Sequence, residues 1–581
     1  MDDLKIFSKK EDTLIKMMND VNLFFEAAGL EKNVEKSATN VQCLASEAKL
    51  LDGLDSYRYL GVLEDKMSNI LKSDVLKSIF DEMKKRINNL ATTKLNSGNL
   101  FKSINEHALS LYNYYIGLID IDPTEFEVID KKIRGILIQN KIHLKPANKE
   151  RLYLPRNRLG RGLVSITQKS ERMLLQFFGD LEKKSHYCLR RAGILRVMKS
   201  KKTHMATIVE FITRKYKIGD HGSLNVKALQ GLQNEYLIAE IRKKPLHSIL
   251  FNCLEDTNID VTESSAWLTY GSISPRSEAS FCLLQDRNFL SGAGETNCKH
   301  CNSAKNTVDH LATRCGRMLN SDYLRRHNEV VRCIHLHLCR QYGIKRSKRL
   351  KTHSVQSIVA NEAVEVRVDT TISTDTHVHN NKPDIFVWDK IKNTIKLIEI
   401  GIISQQILKK VEVEKSHKYD LLASELALIH KAKVNIVPIV LTWDAIVSKY
   451  YKQYQNGLKI EYPVRAYIQT IIMKKTLESM YIDHKHGMMS QEDDGFEENI
   501  TFLDNNINQK LDETDLMTGA FEKESYSYNN INREEERWNY ELEPDESRLI
   551  REKKNDPLDC LKEVWRPVKV VRVGAKRRMV Y

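Results

Sequence analysis

Nowhere in the 581 residues does an apolar run approach the length of a membrane span. The N-terminus also lacks the basic, apolar and small-residue blocks of a signal peptide. Together these absences exclude a membrane-embedded or exported class and imply a soluble protein of the cell interior. Cysteine is scarce: ten residues, scattered except for three in one short segment. That excludes a disulfide framework and suits a reducing compartment with one metal site. Acidic residues are in deficit, 77 against 91 Lys and Arg, a formal charge of +14 and a pI near 9.0. Such an excess favours a polyanionic partner without specifying a fold. The length allows about three to five folding units with ample buried cores.

What is present centres on KPDIFVWDKIKNTIKLIEIGI, beginning at Lys382. Two short apolar strands, IFVW and IKLIEI, flank a polar turn with Asp389, Lys390, Lys392 and Asn393. A hairpin folding about the 391/392 peptide places Asp384 opposite Glu399. Like charges directly opposed in a sheet are destabilising unless something neutralises them. A divalent ion does so, because Mg²⁺ favours one or two carboxylates plus substrate phosphate oxygens. The following QQILKKVEVEKSHKYDLLASELALIH has helical spacing, with Val411, Leu422 and Ile429 on one stripe. Lys415 and Lys418 share that stripe and Tyr419 lies beside them, so the lysines point to the sheet and suit charge stabilisation at phosphorus. VNIVPIVL from Val434 adds a strand, AVEVRVDTTIS from Ala363 supplies the first one, and Glu365 is a weak third carboxylate candidate.

This segment resembles the restriction-like endonuclease of early-branching, site-specific non-LTR retrotransposons. That family carries a Pro-Asp, a second carboxylate after a dozen or so residues, and a Lys-x-x-Lys-Tyr on a helix. Here these are Pro383-Asp384, Glu399 and Lys415-Ser416-His417-Lys418-Tyr419. Most of the family uses Asp where this chain has Glu399, and the lysine expected two residues later is Gly401. The resemblance therefore implies catalysis by Asp384, Glu399, Lys415, Lys418 and Tyr419, with the lysines supplied by the helix and Mg²⁺ held by Asp384 and Glu399.

Upstream, CKHCNSAKNTVDHLATRC is the most specific local motif. A two-residue gap lets Cys298 and Cys301 grip one ion from a tight turn, and His310 and Cys315 complete a closed tetrahedral zinc set. Four protein ligands leave no open position, so this zinc is structural or DNA-binding rather than hydrolytic; His300 is not a ligand. The arrangement matches the knuckle preceding the endonuclease in the same family. A basic helix follows with Arg325, Arg326 and His327 near its start and Lys345 and Arg346 beyond it, residue types that neutralise phosphates. His335 and His337 are not spaced for one metal and read as packing or surface residues.

The chain opens on Asp2 and Asp3, a strand-like LKIF, and a helix with Leu14, Met18, Val21, Phe25 and Ala28 on one face, stopped by Gly29. With GLEKNVEKS and YRYLGV, the stretch resembles the end of a reverse-transcriptase palm, in which paired aspartates bind metal. The third aspartate and nucleotide pocket have no counterpart, so Asp2 and Asp3 are a polymerase remnant and no polymerase activity is expected of this polypeptide. Residues from about 66 to 250 are mostly helical in pattern. Within them RLYLPRNRLGRGLVSI sets Arg156, Arg158 and Arg161 around Gly160 and Gly162, where backbone freedom would allow close approach to a nucleic-acid backbone. The stretch is similar to the family's thumb region. Residues 491–550 hold 18 acidic and 5 basic residues without periodicity and read as disordered. The last residues form either a short strand or a basic tail.

The expectation is a multidomain α/β chain: a truncated reverse-transcriptase palm (1–65), a helical thumb (66–170), a basic helical linker (171–290), a zinc knuckle (291–320), a small α/β restriction-like nuclease (321–483) and a mostly disordered acidic tail (484–581). The resemblance implies the C-terminal portion of a retrotransposon polyprotein that nicks target double-stranded DNA for insertion. It implies zinc and magnesium as cofactors, element RNA as a second partner, and a nuclear site of action. Two alternatives use the same residues differently: a non-catalytic nucleic-acid-binding remnant, and a structural assembly protein of a mobile element.

Overall fold

The computed structural model describes residues 3–53, 55–119, 121–183, 207–218, 224–287, 297–318, 322–344, 350, 352–487 and 569–577. Asp2, Lys345, Arg346 and the acidic stretch 491–550 lie outside them. Two compact units result, Met1–Asp81 with Glu524–Tyr581, and Glu82–Lys523.

The first unit is built around a four-stranded sheet and the helix that follows its first strand. Strand β1 (Asp3–Ser8) leads into the helix Glu11–Ala27, whose first turn carries Glu11 and Asp12 against the positive end of the helix dipole. Leu14, Met18 and Phe25 bury the expected face. Gly29, at φ +66°, turns the chain into β2 (Leu30–Thr39). A short β3 (Lys49–Leu50) pairs with β2, and YRYLGV forms its own hairpin, β4 (Tyr57–Tyr59) and β5 (Val62–Glu64). The fourth strand of the main sheet, β11 (Lys569–Arg577), comes from far along the chain.

In the second unit a five-stranded sheet runs in the order β10-β9-β8-β7-β6: β6 (Ile358–Ala360), β7 (Val364–Val368), β8 (Ile385–Asp389), β9 (Thr394–Ile403) and β10 (Lys433–Thr442). Strand β6 precedes the strand expected to be first; its three residues are too few to show alternation. Neighbours are antiparallel except for β9 and β10. Pro438 is tolerated because β10 is an edge strand. At the β8–β9 turn, Asp389 Oδ1 accepts from the Lys392 N–H at 2.9 Å and Asn393 takes a left-handed φ of +47°.

Alternation along β8 and β9 separates two cores. Ile385, Val387, Ile398, Ile400 and Ile402 face one side, packing with Val330 and Ile334 of the helix Leu324–Gln341 and with Ile468 and Ile472 of the helix Tyr462–Gly487. Phe386, Ile395 and Leu397 face the other, against Tyr419, Leu422 and Leu426. The segment expected as one helix is two, Leu408–His417 and Asp420–His430, with Tyr419 at the break. Ile429, expected on the buried stripe, is 40% exposed, while Leu422 and Leu426 of the same helix are buried. No helix among the described residues is long and apolar enough to cross a membrane.

Candidate active site and metal centre

The β8–β9 register pairs Ile385 with Ile398 and Phe386 with Leu397, so one step outward Asp384 faces Glu399. Glu399 lies on the sheet face that meets the broken helix, and Asp384, just ahead of β8, is within reach of His327 on the helix Leu324–Gln341. Glu399, 3% exposed, is the one acid in the strand Thr394–Ile403. A buried carboxylate needs several donors, and Glu399 has three. Its Oε1 accepts from Lys415 Nζ at 2.8 Å and Lys418 Nζ at 2.7 Å, and its Oε2 from the Tyr419 hydroxyl at 2.9 Å. Positions 415, 418 and 419 are spaced i, i+3 and i+4, so their side chains fall on one face where the first helix ends at His417. Tyr419, 1% exposed, is driven above its ordinary pKa by burial and then by the Glu399 charge, so it stays a donor.

Gly401 leaves room on β9 for the Lys415 stem. A Cβ there would lie 2.8 Å from Lys415 Cε and 3.2 Å from its Cδ. The lysine stem thus crosses the strand where a strand side chain would stand, and it delivers its ammonium to Glu399 from the helix.

Asp384 Oδ2 accepts from the Ile400 N–H at 2.7 Å and lies 3.2 Å from His327 Nε2. Burial would raise the Asp384 pKa, but the His327 hydrogen bond and charge and the Ile400 N–H outweigh it, holding the carboxyl below its usual value. For His327 burial acts downward and Asp384 prevails, so its pKa is raised. Sequence reasoning assigned His327 only to a basic helix start; no local signal marks its reach to Asp384, because the two are joined through the fold. Glu365 is not part of this group. It pairs with Trp388 in register and with Arg367 as an ion pair.

The four knuckle ligands come together as the spacing predicts. Their ligand atoms all lie within 4.8 Å of one another, with Cys298 Sγ 3.9 Å from Cys315 Sγ and Cys301 Sγ 3.2 Å from His310 Nε2. Two thiolates at about 2.3 Å from one tetrahedral zinc sit roughly 3.8 Å apart, so the cage has the size for a metal such as zinc. Thr307 caps the helix Val308–Thr313 by accepting from the His310 N–H, which sets the histidine in its first turn. The Cys301 thiol is lowered to about 6, first by the Ser303 hydroxyl and backbone, with His310 contributing. Around the cage, Cys298, Leu311, Ala312 and Cys315 belong to the same core as Ile398, Ile400 and Ile439. Asp309 accepts from Arg287 and from Trp443 Nε1 at 3.0 Å, and Arg314 donates to Ser404 Oγ at 3.3 Å. The knuckle is therefore built into the sheet's packing.

Most of the described arginines expected at a nucleic-acid interface have partners within the protein. Arg156 and Arg161 both donate to Glu278, which is fully buried and drawn down to about 2 by the two guanidiniums against its desolvation. Close approach at Gly160 is to the chain itself, since a Cβ there would meet the Leu154 carbonyl oxygen at 2.0 Å. Arg326 is 1% exposed and donates to the Ala312 carbonyl, and burial lowers its pKa to about 10. Arg325 is tied to Ser479 at 2.9 Å and to Glu478. Arg158 remains at the surface, paired at 3.3 Å with exposed Glu235. Charge is legible in a sequence, whereas its internal partners are not. His335 and His337 are packing residues: the first is buried 2.8 Å from His353, and the second lies 3.2 Å from the Leu458 carbonyl oxygen. Asp3 opens β1, opposite Gly574 in register.

A scan against protein-family models and a search of curated proteins each returned no match.

Proposed function

We propose that the second unit is a metal-dependent DNA endonuclease of restriction-like type, within the C-terminal portion of a non-LTR retrotransposon polyprotein that nicks nuclear target DNA for insertion. One observation carries the reading: a buried carboxylate on a sheet holds two lysines and a tyrosine, opposite a second carboxylate held by a histidine. An ordinary core seldom gathers six such groups at one end of a sheet, whereas phosphodiester hydrolysis uses each of them.

Asp384 and Glu399 would hold Mg²⁺, which when bound polarises a phosphodiester and lowers the pKa of water. The charges of the two carboxylates are already balanced by Lys415 and Lys418. A divalent cation therefore enters most favourably together with a phosphate anion, in keeping with the preference of Mg²⁺ for mixed carboxylate and phosphate ligation. Tyr419 and Lys415 hold Glu399 in one orientation, and His327 and the Ile400 N–H do the same for Asp384. Lys418, with 38% of its side chain exposed, is the cation best placed to meet phosphate oxygens as charge develops.

The test is nicking of supercoiled plasmid by the full chain with its zinc retained, with and without Mg²⁺, for the parent, Asp384→Ala and Lys418→Ala. Mg²⁺-dependent nicking by the parent alone is expected. Tight plasmid binding with no nicking by any version would sink the nuclease reading in favour of a binding remnant.

A further inference from the structure

The main sheet of the first unit has the order β1-β11-β2-β3, where β11 is Lys569–Arg577. Strand β11 is antiparallel to both neighbours, so β1 and β2 run in the same direction with the helix Glu11–Ala27 as their crossover. Their separation leaves room for one strand. Adjacent strands lie about 4.8 Å apart, so β1 and β2 are roughly 10 Å apart and cannot hydrogen-bond to each other. Strand β11 supplies six register positions to β1, from Asp3↔Gly574 to Ser8↔Lys569, and six to β2. Strand β3 offers β2 only two, at Ala38 and Thr39. Nearly all the pairing in this sheet thus depends on one distant segment.

The segment suits that place. KVVRVGAKR carries Val570, Val571 and Val573, β-branched residues that favour extended backbone. The register shifts between Arg572 and Gly574 on the β2 side, a bulge that pins the pairing. Lys576 stands opposite Glu31. Beneath the sheet, Ile6 of β1 belongs to a core with Leu14, Met18 and Phe25, against which Leu30 of β2 also packs; the helix thus touches both strands but supplies no ladder hydrogen bonds between them.

We propose that the space between β1 and β2 is a strand-binding slot whose occupant is the chain's own Lys569–Arg577. The first unit holds its sheet only while that segment is docked. Docking is strand addition to two facing edges at once, with main-chain hydrogen bonds giving affinity and the bulge giving register. The proposal is independent of the nuclease reading.

Hydrogen exchange on the full chain tests it, using Val571→Pro. Val571 lies opposite Ile6 on one side and Thr39 on the other, and proline in a central strand removes a ladder donor and clashes with the pairing. Amides of Leu4–Phe7 and of β2 are expected to lose about 100-fold or more of their protection, while β8 and β9 keep theirs. Adding a synthetic peptide of residues 569–577 to the variant is expected to restore the protection, and the same peptide carrying the proline is not. Protection of Leu4–Phe7 within about twofold of the parent, or loss that the peptide fails to reverse, would overturn the proposal. Concentration-dependent dimers of the parent that disappear in Val571→Pro would overturn the assignment in cis, because a second copy would then be supplying the strand.

Discussion

Gly401→Ala isolates the least expected feature of the candidate site. The new methyl would lie 2.8 Å from Lys415 Cε and 3.5 Å from Val440 Cγ1. A flexible lysine stem yields more readily than backbone, so the strand keeps its place and Lys415 is the group that moves. Its ammonium then leaves Glu399, breaking one charge-assisted hydrogen bond of 2.8 Å. Such bonds contribute about 1.5–3 kcal/mol. Glu399 retains Lys418 and Tyr419, and the Lys415 side chain is 18% exposed, so the loss falls at the low end, about 1–2 kcal/mol. Thermal unfolding should drop by about 1–2 °C, given roughly 1 °C per kcal/mol for the Glu82–Lys523 unit at about 2 cal/mol/K of unfolding entropy per residue. If Lys415 also steadies the transition state, plasmid nicking falls by about 100-fold, the usual cost of losing one electrostatic donor. Lys415→Ala should match both effects. The double variant should be no worse than Lys415→Ala alone, because both changes act through the same contact. Parent-like stability in Gly401→Ala, or fully additive losses in the double variant, would refute the reasoning.

Three further outcomes follow from the same geometry. Cys298→Ser or Cys315→Ser should abolish bound zinc, read by elemental analysis, and lower the unfolding temperature of the unit containing the sheet; an unchanged melting curve would mean that the knuckle does not support the common core. His327→Ala should reduce Mg²⁺-dependent nicking by about 10-fold or more with little change in plasmid affinity, since His327 orients Asp384; a loss confined to affinity would make it a DNA contact instead. Glu278→Gln should destabilise the second unit by about 3–5 kcal/mol in denaturant unfolding, because two guanidiniums lose their buried anion. Glu278 itself is held at about 2 in the fold against an ordinary 4.5, so its contribution is fully present above pH 4.5 and is lost as pH falls through 2. Acid unfolding of the parent that shows no such dependence relative to Glu278→Gln would contradict the assignment.

Local chemistry determined much of this on its own. Two apolar runs about a polar turn set the β8–β9 register and the Asp384–Glu399 opposition, because side chains alternate strictly along a strand. The 2–8–4 spacing assembled the Cys₃His cage, and the apolar stripe through Leu14, Met18 and Phe25 with Gly29 beyond it delimited the first helix. Long-range partners were decided only by the fold. His327 reaches Asp384 across 57 residues of chain, Lys415 occupies the space vacated at Gly401, and Arg156 and Arg161 turn inward because Glu278 lies between them. The strand Lys569–Arg577 carries nothing in its sequence that names β1 and β2 as its neighbours. Periodicity and spacing act over a few residues and can be read directly. Charge pairing, close approach and strand insertion depend on which distant surfaces meet, and only tertiary packing chooses those.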